Sequence, residues 1–171
     1  LSQIKSTDAA SLASKIALAK ATADFDLKRV ISFHGRVKAA KNFAREYKEL
    51  IEVINLEYSL NSSLYADYVS GDMNARVRRK KLSSLKRLVG TDRALLTNAR
   101  CLSEGIDVPA LDGVAFIDPK QSQVDIIQAV GRALRLSVDK KVGTVLLPVF
   151  IESSDVAEDE ITKTNFKPVW H

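Results

Sequence analysis

Short, uninterrupted apolar runs alternate along this chain with longer segments of helical period. Residues 29–33 (Arg-Val-Ile-Ser-Phe), 66–69, 93–97 and 114–117 are such runs, and 143–151 is a longer one that contains Pro148. A strand that is apolar at every position must be covered on both faces, which is the condition of a parallel sheet with helices above and below. The segments between the runs are long enough to be those helices. Residues 8–22 place Leu12, Ile16 and Ala19 at helical spacing, and 37–51 align Val37, Ala40, Phe43, Tyr47 and Leu50. Residues 74–88 turn Val77, Leu82, Leu85 and Val89 inward and their basic residues outward, and 122–135 turn Ile126, Ile127, Val130 and Leu134 towards the sheet. Residues 59–63 read as a polar loop. The prediction is a doubly wound α/β domain, a parallel sheet of about five strands with helices on both faces. Such sheets carry their ligands beyond the carboxyl ends of the strands, so the residues after Phe33, Val69, Thr97 and Ile117 are where chemistry is expected.

A length of 171 residues suits one such domain. The expected division is a helical arm over 1–24, the α/β domain over 25–152, and an acidic tail or the start of a further element over 153–171. The single cysteine, Cys101, excludes an intramolecular disulfide, and with only His34 and His171 there is no Cys/His cluster of metal-site spacing. No apolar run reaches the roughly eighteen residues a spanning helix needs. No membrane partner is expected, and the anticipated compartment is reducing and cytoplasmic. The first residues, Leu1-Ser2-Gln3-Ile4-Lys5, do not have the pattern of a signal peptide, and the absence of Met at position 1 points to a piece of a longer protein. Charge is uneven. The net of +5 conceals a segment, 71–100, with nine basic and two acidic residues, whereas 151–171 has two basic and five acidic.

Two segments stand out chemically. Gln128, Arg132 and Arg135 are spaced by four and three, so they share one face of the helix 122–135, with Gly131 beside them allowing close approach of a backbone or ligand. Paired guanidinium forks suit the oxygens of a polyphosphate, although a solvated basic face has the same pattern. Residues 97–109 (Thr-Asn-Ala-Arg-Cys-Leu-Ser-Glu-Gly-Ile-Asp-Val-Pro) begin at a strand end. Thr97 and Asn98 bring a hydroxyl and an amide there, Gly105 permits close approach, and Asp107 offers an acceptor to a sugar hydroxyl. A glycine turn with a helix cap would look similar.

Taken together, 102–109 (Leu-Ser-Glu-Gly-Ile-Asp-Val-Pro) and 128–135 (Gln-Ala-Val-Gly-Arg-Ala-Leu-Arg) resemble motifs V and VI of superfamily 2 helicases and translocases. Residues 30–33 with His34-Gly35-Arg36 resemble motif IV. Tyr68-Val69-Ser70-Gly71-Asp72 resembles the glycine-containing element between IV and V. Order and spacing match the second, C-terminal RecA-like domain over roughly 25–152. The Gln-x-x-Gly-Arg-Ala-x-Arg form is similar to the restriction-enzyme-motor and excision-repair branches, and differs from the RNA-directed DEAD-box form.

That resemblance implies an ATP-dependent helicase or translocase acting on nucleic acid, DNA rather than RNA from the motif VI subtype. ATP would lie between this domain and an N-terminal RecA-like domain of the same polypeptide, which holds the Mg2+ and the phosphate-binding loop. This chain has no Gly-Lys dipeptide, and its Asp159-Glu160 pair lies in a charged tail. The chain alone is therefore expected not to hydrolyse ATP. By resemblance Arg132 and Arg135 reach the γ-phosphate, with Arg135 as arginine finger, while Gly105, Asp107 and Gln128 bind or orient the nucleotide. His34, Gly35, Arg36, Gly71 and Thr97 or Asn98 would contact the nucleic-acid strand. For His34 a loop histidine bonded to its own backbone is the competing reading.

The basic run Arg76-Val77-Arg78-Arg79-Lys80-Lys81, with Lys86 and Arg87, reads mainly as the solvated face of its helix, with Arg76 and Arg79 able to reach nucleic acid or a partner domain. The alternative function is a non-catalytic nucleic-acid-binding or interaction module, in which the arginines of 128–135 do no catalytic work. Aromatic residues make up only 6% of the chain, which argues against a base-stacking platform.

Overall fold

In a computed structural model, the protein is described over residues 2–58, 63–99, 111–118, 126–128, 130–131 and 142–148, with backbone alone at 2–8 and 56–58. The elements run α1 (Ser2–Asp24), β1 (Arg29–His34), α2 (Val37–Tyr58), β2 (Leu64–Ser70), α3 (Ala75–Ser84), β3 (Arg93–Ala99), β4 (Gly113–Phe116) and β5 (Thr144–Leu146). The five strands form one sheet in the order β2-β3-β1-β4-β5, and every pairing is parallel. This is the doubly wound architecture that the apolar runs predict.

The strands sort their side chains by alternation. Val30, Leu95 and Ala115 face one way, into a core with Leu18 of α1 and Phe43 and Tyr47 of α2. Ile31, Phe33, Leu96, Val114 and Phe116 face the other way and meet Leu82 and Leu85 of α3, together with Ile126. Phe33 and Phe116 stack across β1 and β4 with ring centroids 5.2 Å apart. Burying a side chain such as Leu96 or Phe116 stabilises the fold by about 1.5–3 kcal/mol. The central strands, apolar on both sides, are thus held twice over.

The helix faces differ from expectation at three places. Leu12 and Ile16 of α1 are 50% and 43% exposed, and the face turned to the domain carries Lys15 and Leu18 instead. A period count cannot reveal this, because the buried Lys15 is accommodated by Glu46 of α2 and Ser11 of its own helix. In α3 the helix starts after Asn74, whose Oδ1 accepts from the Val77 N–H at 2.9 Å, and ends at Ser84. Val77 is consequently exposed, and Val89, beyond the helix end, is 75% exposed, while Leu82 and Leu85 are buried as expected. Beside Gln128, Ile126 is buried but Ile127 is exposed. Residues 126–128 and 130–131 are helical, and the rest of the predicted helix 122–135 lies outside the described residues. No helix among the described residues is long and apolar enough to cross a membrane.

Candidate functional site

The strand order fixes where a ligand can enter. The connection leaving β1 goes through α2 to β2, on one side of the sheet, whereas β4 is followed in the sheet by β5 on the other side. Connections therefore diverge between β1 and β4, and the crevice opens at the carboxyl ends of those strands. There the Gly35 N–H donates to Oδ2 of Asp118 at 2.7 Å, and the Phe33 carbonyl accepts from both Ile117 and Asp118 N–H groups at 3.2 Å. Gly35 and Arg36 are exposed on this edge. Gly71, after β2, is exposed as well, and its N–H donates to the Ala99 carbonyl at the end of β3.

Two helices begin on the same edge, α2 at Val37 and α3 at Ala75, and neither has an acidic residue in its first turn. Their positive dipole ends favour an anion at this edge, although at α3 the Val77 N–H is already taken by Asn74. The edge combines exposed backbone, Arg36, the Asp118 carboxylate and two helix starts.

The polar residues of the strand ends divide into those that face this edge and those committed to the fold. Thr97 and Ser32 are fully buried. The Thr97 hydroxyl donates to the Ala40 carbonyl of α2 at 2.8 Å. His34 is 5% exposed, tilted against the Phe43 ring at 4.9 Å, with its Nε2 3.0 Å from the Ser32 hydroxyl. Burial holds the imidazole neutral by pushing its pKa down to about 4, opposed by the Asp118 charge and aided by Lys15. His34 bonds a serine side chain inside the sheet–helix interface, rather than its own backbone. Asn98 is buried too. Of the six strand-contact residues read from sequence, Gly35, Arg36 and Gly71 are the exposed ones.

Gln128 is half-buried, and its Oε1 is a buried oxygen with no hydrogen-bond partner among the described residues. Gly131 is exposed, and a Cβ added there would meet nothing within 4 Å among the described residues. Gly105, Asp107, Arg132 and Arg135 lie outside the described residues. Among the described residues no group of three His, Cys, Asp or Glu side chains is arranged to hold a metal ion.

Sequence reading missed two contributors. Asp118 carries no signal of its own in the sequence, because nothing local reveals that β4 lies beside β1. Lys15 was overlooked for its charge. Its ammonium is 2.9 Å from Glu46 and 2.7 Å from the Ser11 hydroxyl, and lies 5.5 Å above the Phe43 ring. It links α1 to the helix that covers His34.

An all-parallel, doubly wound sheet in the order 2-3-1-4-5 with its ligand edge at β1 and β4 defines a RecA-like domain. The helicase conserved C-terminal domain matches residues 17–137. The chain belongs to that family and is a C-terminal RecA-like domain of superfamily 2.

Among solved structures, the ATP-dependent type ISP restriction-modification enzyme LlaBIII bound to DNA is 34% identical, with a TM-score of 0.67 over 84% of this chain and 9% of that one. A fragment of a putative HsdR subunit of a type I restriction enzyme from Vibrio vulnificus YJ016 shares the fold at 21% identity and TM-score 0.59, over 84% of this chain and 28% of that one. LlaBIII is of the restriction-enzyme kind that the motif VI form resembles. The probable helicase A859L of African swine fever virus (isolate Pig/Kenya/KEN-50/1950) is 37% identical over 68 residues, which is 40% of this chain. The putative helicase 22 of Sulfolobus islandicus filamentous virus (isolate Iceland/Hveragerdi) is 26% identical over 119 residues, 70% of this chain. The chain spans only 8% and 20% of the lengths of these two relatives.

Proposed function

We propose that this chain is the C-terminal motor half of an ATP-dependent nucleic-acid helicase or translocase, working on DNA. The observation that carries the reading is the family match across residues 17–137, a span that contains both 97–109 and 128–135. The N-terminal RecA-like domain of the same polypeptide supplies the phosphate loop and the Mg2+ site, so the chain by itself does not hydrolyse ATP.

In this reading Arg132 and Arg135 face the nucleotide across the domain cleft. ATP, with its Mg2+, supplies the phosphoryl group whose transfer drives the cycle. Arg135, the arginine finger, stabilises charge that develops on that group, an effect of roughly a thousandfold or more in nucleotide hydrolases. Gly105 and Asp107 admit and bind the ribose. Gln128 orients the nucleotide, and its Oε1, buried without a partner among the described residues, supports this role, because a buried polar atom left unpaired costs about 1–3 kcal/mol. A ribose hydroxyl or an incoming arginine would relieve that cost.

The strand runs along the carboxyl edge against Gly35, Arg36 and Gly71, where contacts to phosphates fix position without reading sequence. His34, Thr97 and Asn98 shape that edge from beneath. Closure on ATP and release after hydrolysis then move the strand. The lean to DNA rests on the motif VI form and is supported by the LlaBIII likeness, since that enzyme is bound to DNA.

The test is ATP hydrolysis by the polypeptide that joins this chain to its N-terminal RecA-like domain, with duplex DNA, single-stranded RNA or neither. Stimulation by duplex DNA is expected. Stimulation by RNA alone would overturn the DNA assignment, and absence of hydrolysis under all three conditions would favour the non-catalytic module.

A further inference from the structure

The basic run on α3 does not behave as one solvated face. Its charges separate into two groups. Lys81 points inward, 2.5 Å from Asp67, and lies over the Tyr68 ring at 4.9 Å. Arg78 donates to the Met73 carbonyl. Arg76, Arg79, Lys80 and Arg87 point outward, are exposed, and line a shallow open groove together with Ala75 and Ser83. None of these four is paired with a carboxylate among the described residues, and the sequence has no acidic residue between Asp72 and Asp92.

The contrast with α2 is direct. There Arg45 pairs with Glu46, and Lys48 with Glu52. On α3, Arg76 and Arg79, and Arg76 and Lys80, stand three and four apart, so like charges sit one above another. Such spacing destabilises a helix by tenths of a kcal/mol per pair. A stripe with that standing cost is relieved by a ligand that brings closely spaced negative charge.

The stripe starts at the carboxyl edge of the sheet, since α3 begins immediately after β2, and leads away from it along the flank. The eight-residue helical rise from Arg76 to Ser84 spans roughly 12 Å, and Arg87 follows three residues after the helix end. The helical part alone corresponds to about three or four phosphates of one duplex strand, at an axial spacing of about 3.4 Å. The groove has no aromatic lining residue, so it offers nothing on which an unpaired base could stack.

We infer that the outer stripe of α3, Arg76, Arg79 and Lys80, together with Arg87 beyond its end, is a second nucleic-acid contact that holds the phosphate backbone of duplex flanking the carboxyl edge. It reads no sequence and touches no nucleotide cofactor. It does not depend on ATP hydrolysis, so it stands or falls separately from the motor reading.

The test is equilibrium binding of the full chain to a short fluorescein-labelled duplex of mixed sequence, without ATP, over a range of salt concentrations. The triple variant Arg76→Gln/Arg79→Gln/Lys80→Gln is compared with the charge-matched control Lys20→Gln/Arg45→Gln/Lys48→Gln, both checked for folding by circular dichroism. The triple is expected to flatten the plot of log affinity against log salt by about 2 to 3 units of slope, close to 0.9 per phosphate lost. The control should leave the slope unchanged, and Arg76→Lys/Arg79→Lys with Lys80 retained should restore it. Equal loss in the control would reduce the effect to net charge and overturn the inference. So would an unchanged slope in the triple, a larger loss on single-stranded than on duplex DNA, or displacement of the duplex by polyglutamate as readily as by unlabelled duplex, which would mark a surface for acidic protein.

Discussion

The Gly35 N–H and the Asp118 carboxylate meet at 2.7 Å, which ties the loop after β1 to the end of β4 at the mouth of the ligand crevice. Two loops 83 residues apart in sequence are thereby held in one arrangement. Asp118→Ala is expected to lower unfolding free energy by only about 0.5–1.5 kcal/mol in urea melts, because the bond is exposed. The Gly35 amide should then exchange with solvent faster than its neighbours. Gly35→Ala should be within about 0.5 kcal/mol of the parent, since the new Cβ would only meet Asp118 at 3.5 and 3.9 Å. A loss of nucleic-acid affinity in that otherwise stable variant would locate the strand at Gly35.

His34 makes folding stability depend on pH in a defined direction. The folded chain holds the imidazole neutral with a pKa of about 4, against 6.5 when unfolded. Between those values the unfolded chain binds more protons, so stability is complete above about pH 6.5 and falls as the pH drops towards 4. The slope should approach about 1.4 kcal/mol per pH unit near pH 5. Glu46, whose pKa is held down by its bond to Lys15, adds a loss of the same sign as it becomes protonated. The groups that face His34 are Asp118, which opposes the depression, and Lys15, which adds to it. Urea melts at pH 7, 6 and 5 should show the decline in the parent and lose most of it in His34→Gln.

The pair Lys15 and Glu46 should respond asymmetrically. Glu46→Gln leaves a buried ammonium with reduced compensation and is expected to cost about 1–3 kcal/mol, tempered by the partial exposure of Glu46. Lys15→Met replaces the buried cation with an apolar stem of similar length beside Phe43, and should be near neutral. Thermal melts of the two variants decide this. Equal losses would mean that the ion pair itself, rather than the cost of an unpaired charge, secures α1.

Thr97→Val tests whether this hydroxyl belongs to the fold. It removes the bond to the Ala40 carbonyl while conserving volume, and should cost about 1 kcal/mol of stability. Affinity for nucleic acid should be unchanged at temperatures where the variant is folded. A selective loss of affinity with full stability would restore Thr97 as a strand contact.

The parallel sheet was legible because apolar strands such as 93–97 admit few alternatives, and the observed β3 (Arg93–Ala99) extends that run by two residues. The faces of the outer helices were less legible. Leu12 and Ile16 have helical spacing, yet α1 turns Leu18 and the charged Lys15 inward, because α2 provides Glu46 as partner. Local periodicity carries no information about such a partner. At the candidate site, the strand-end rule pointed to the residues after Phe33, and the motif IV resemblance singled out Gly35 and Arg36, which are exposed there. Their tether to Asp118 depends on β1 lying beside β4, and the burial of His34 depends on Phe43 of α2. Both are tertiary facts that motif spacing does not encode.

The most direct measurement of the central claim is ATP turnover by the two-domain polypeptide carrying Arg135→Ala, assayed with duplex DNA beside the unsubstituted protein. If this chain completes the ATPase site across the cleft, turnover falls by roughly a thousandfold while the variant remains folded and still binds DNA. Turnover unchanged by the substitution would contradict the account and leave the arginines of 128–135 as a surface face.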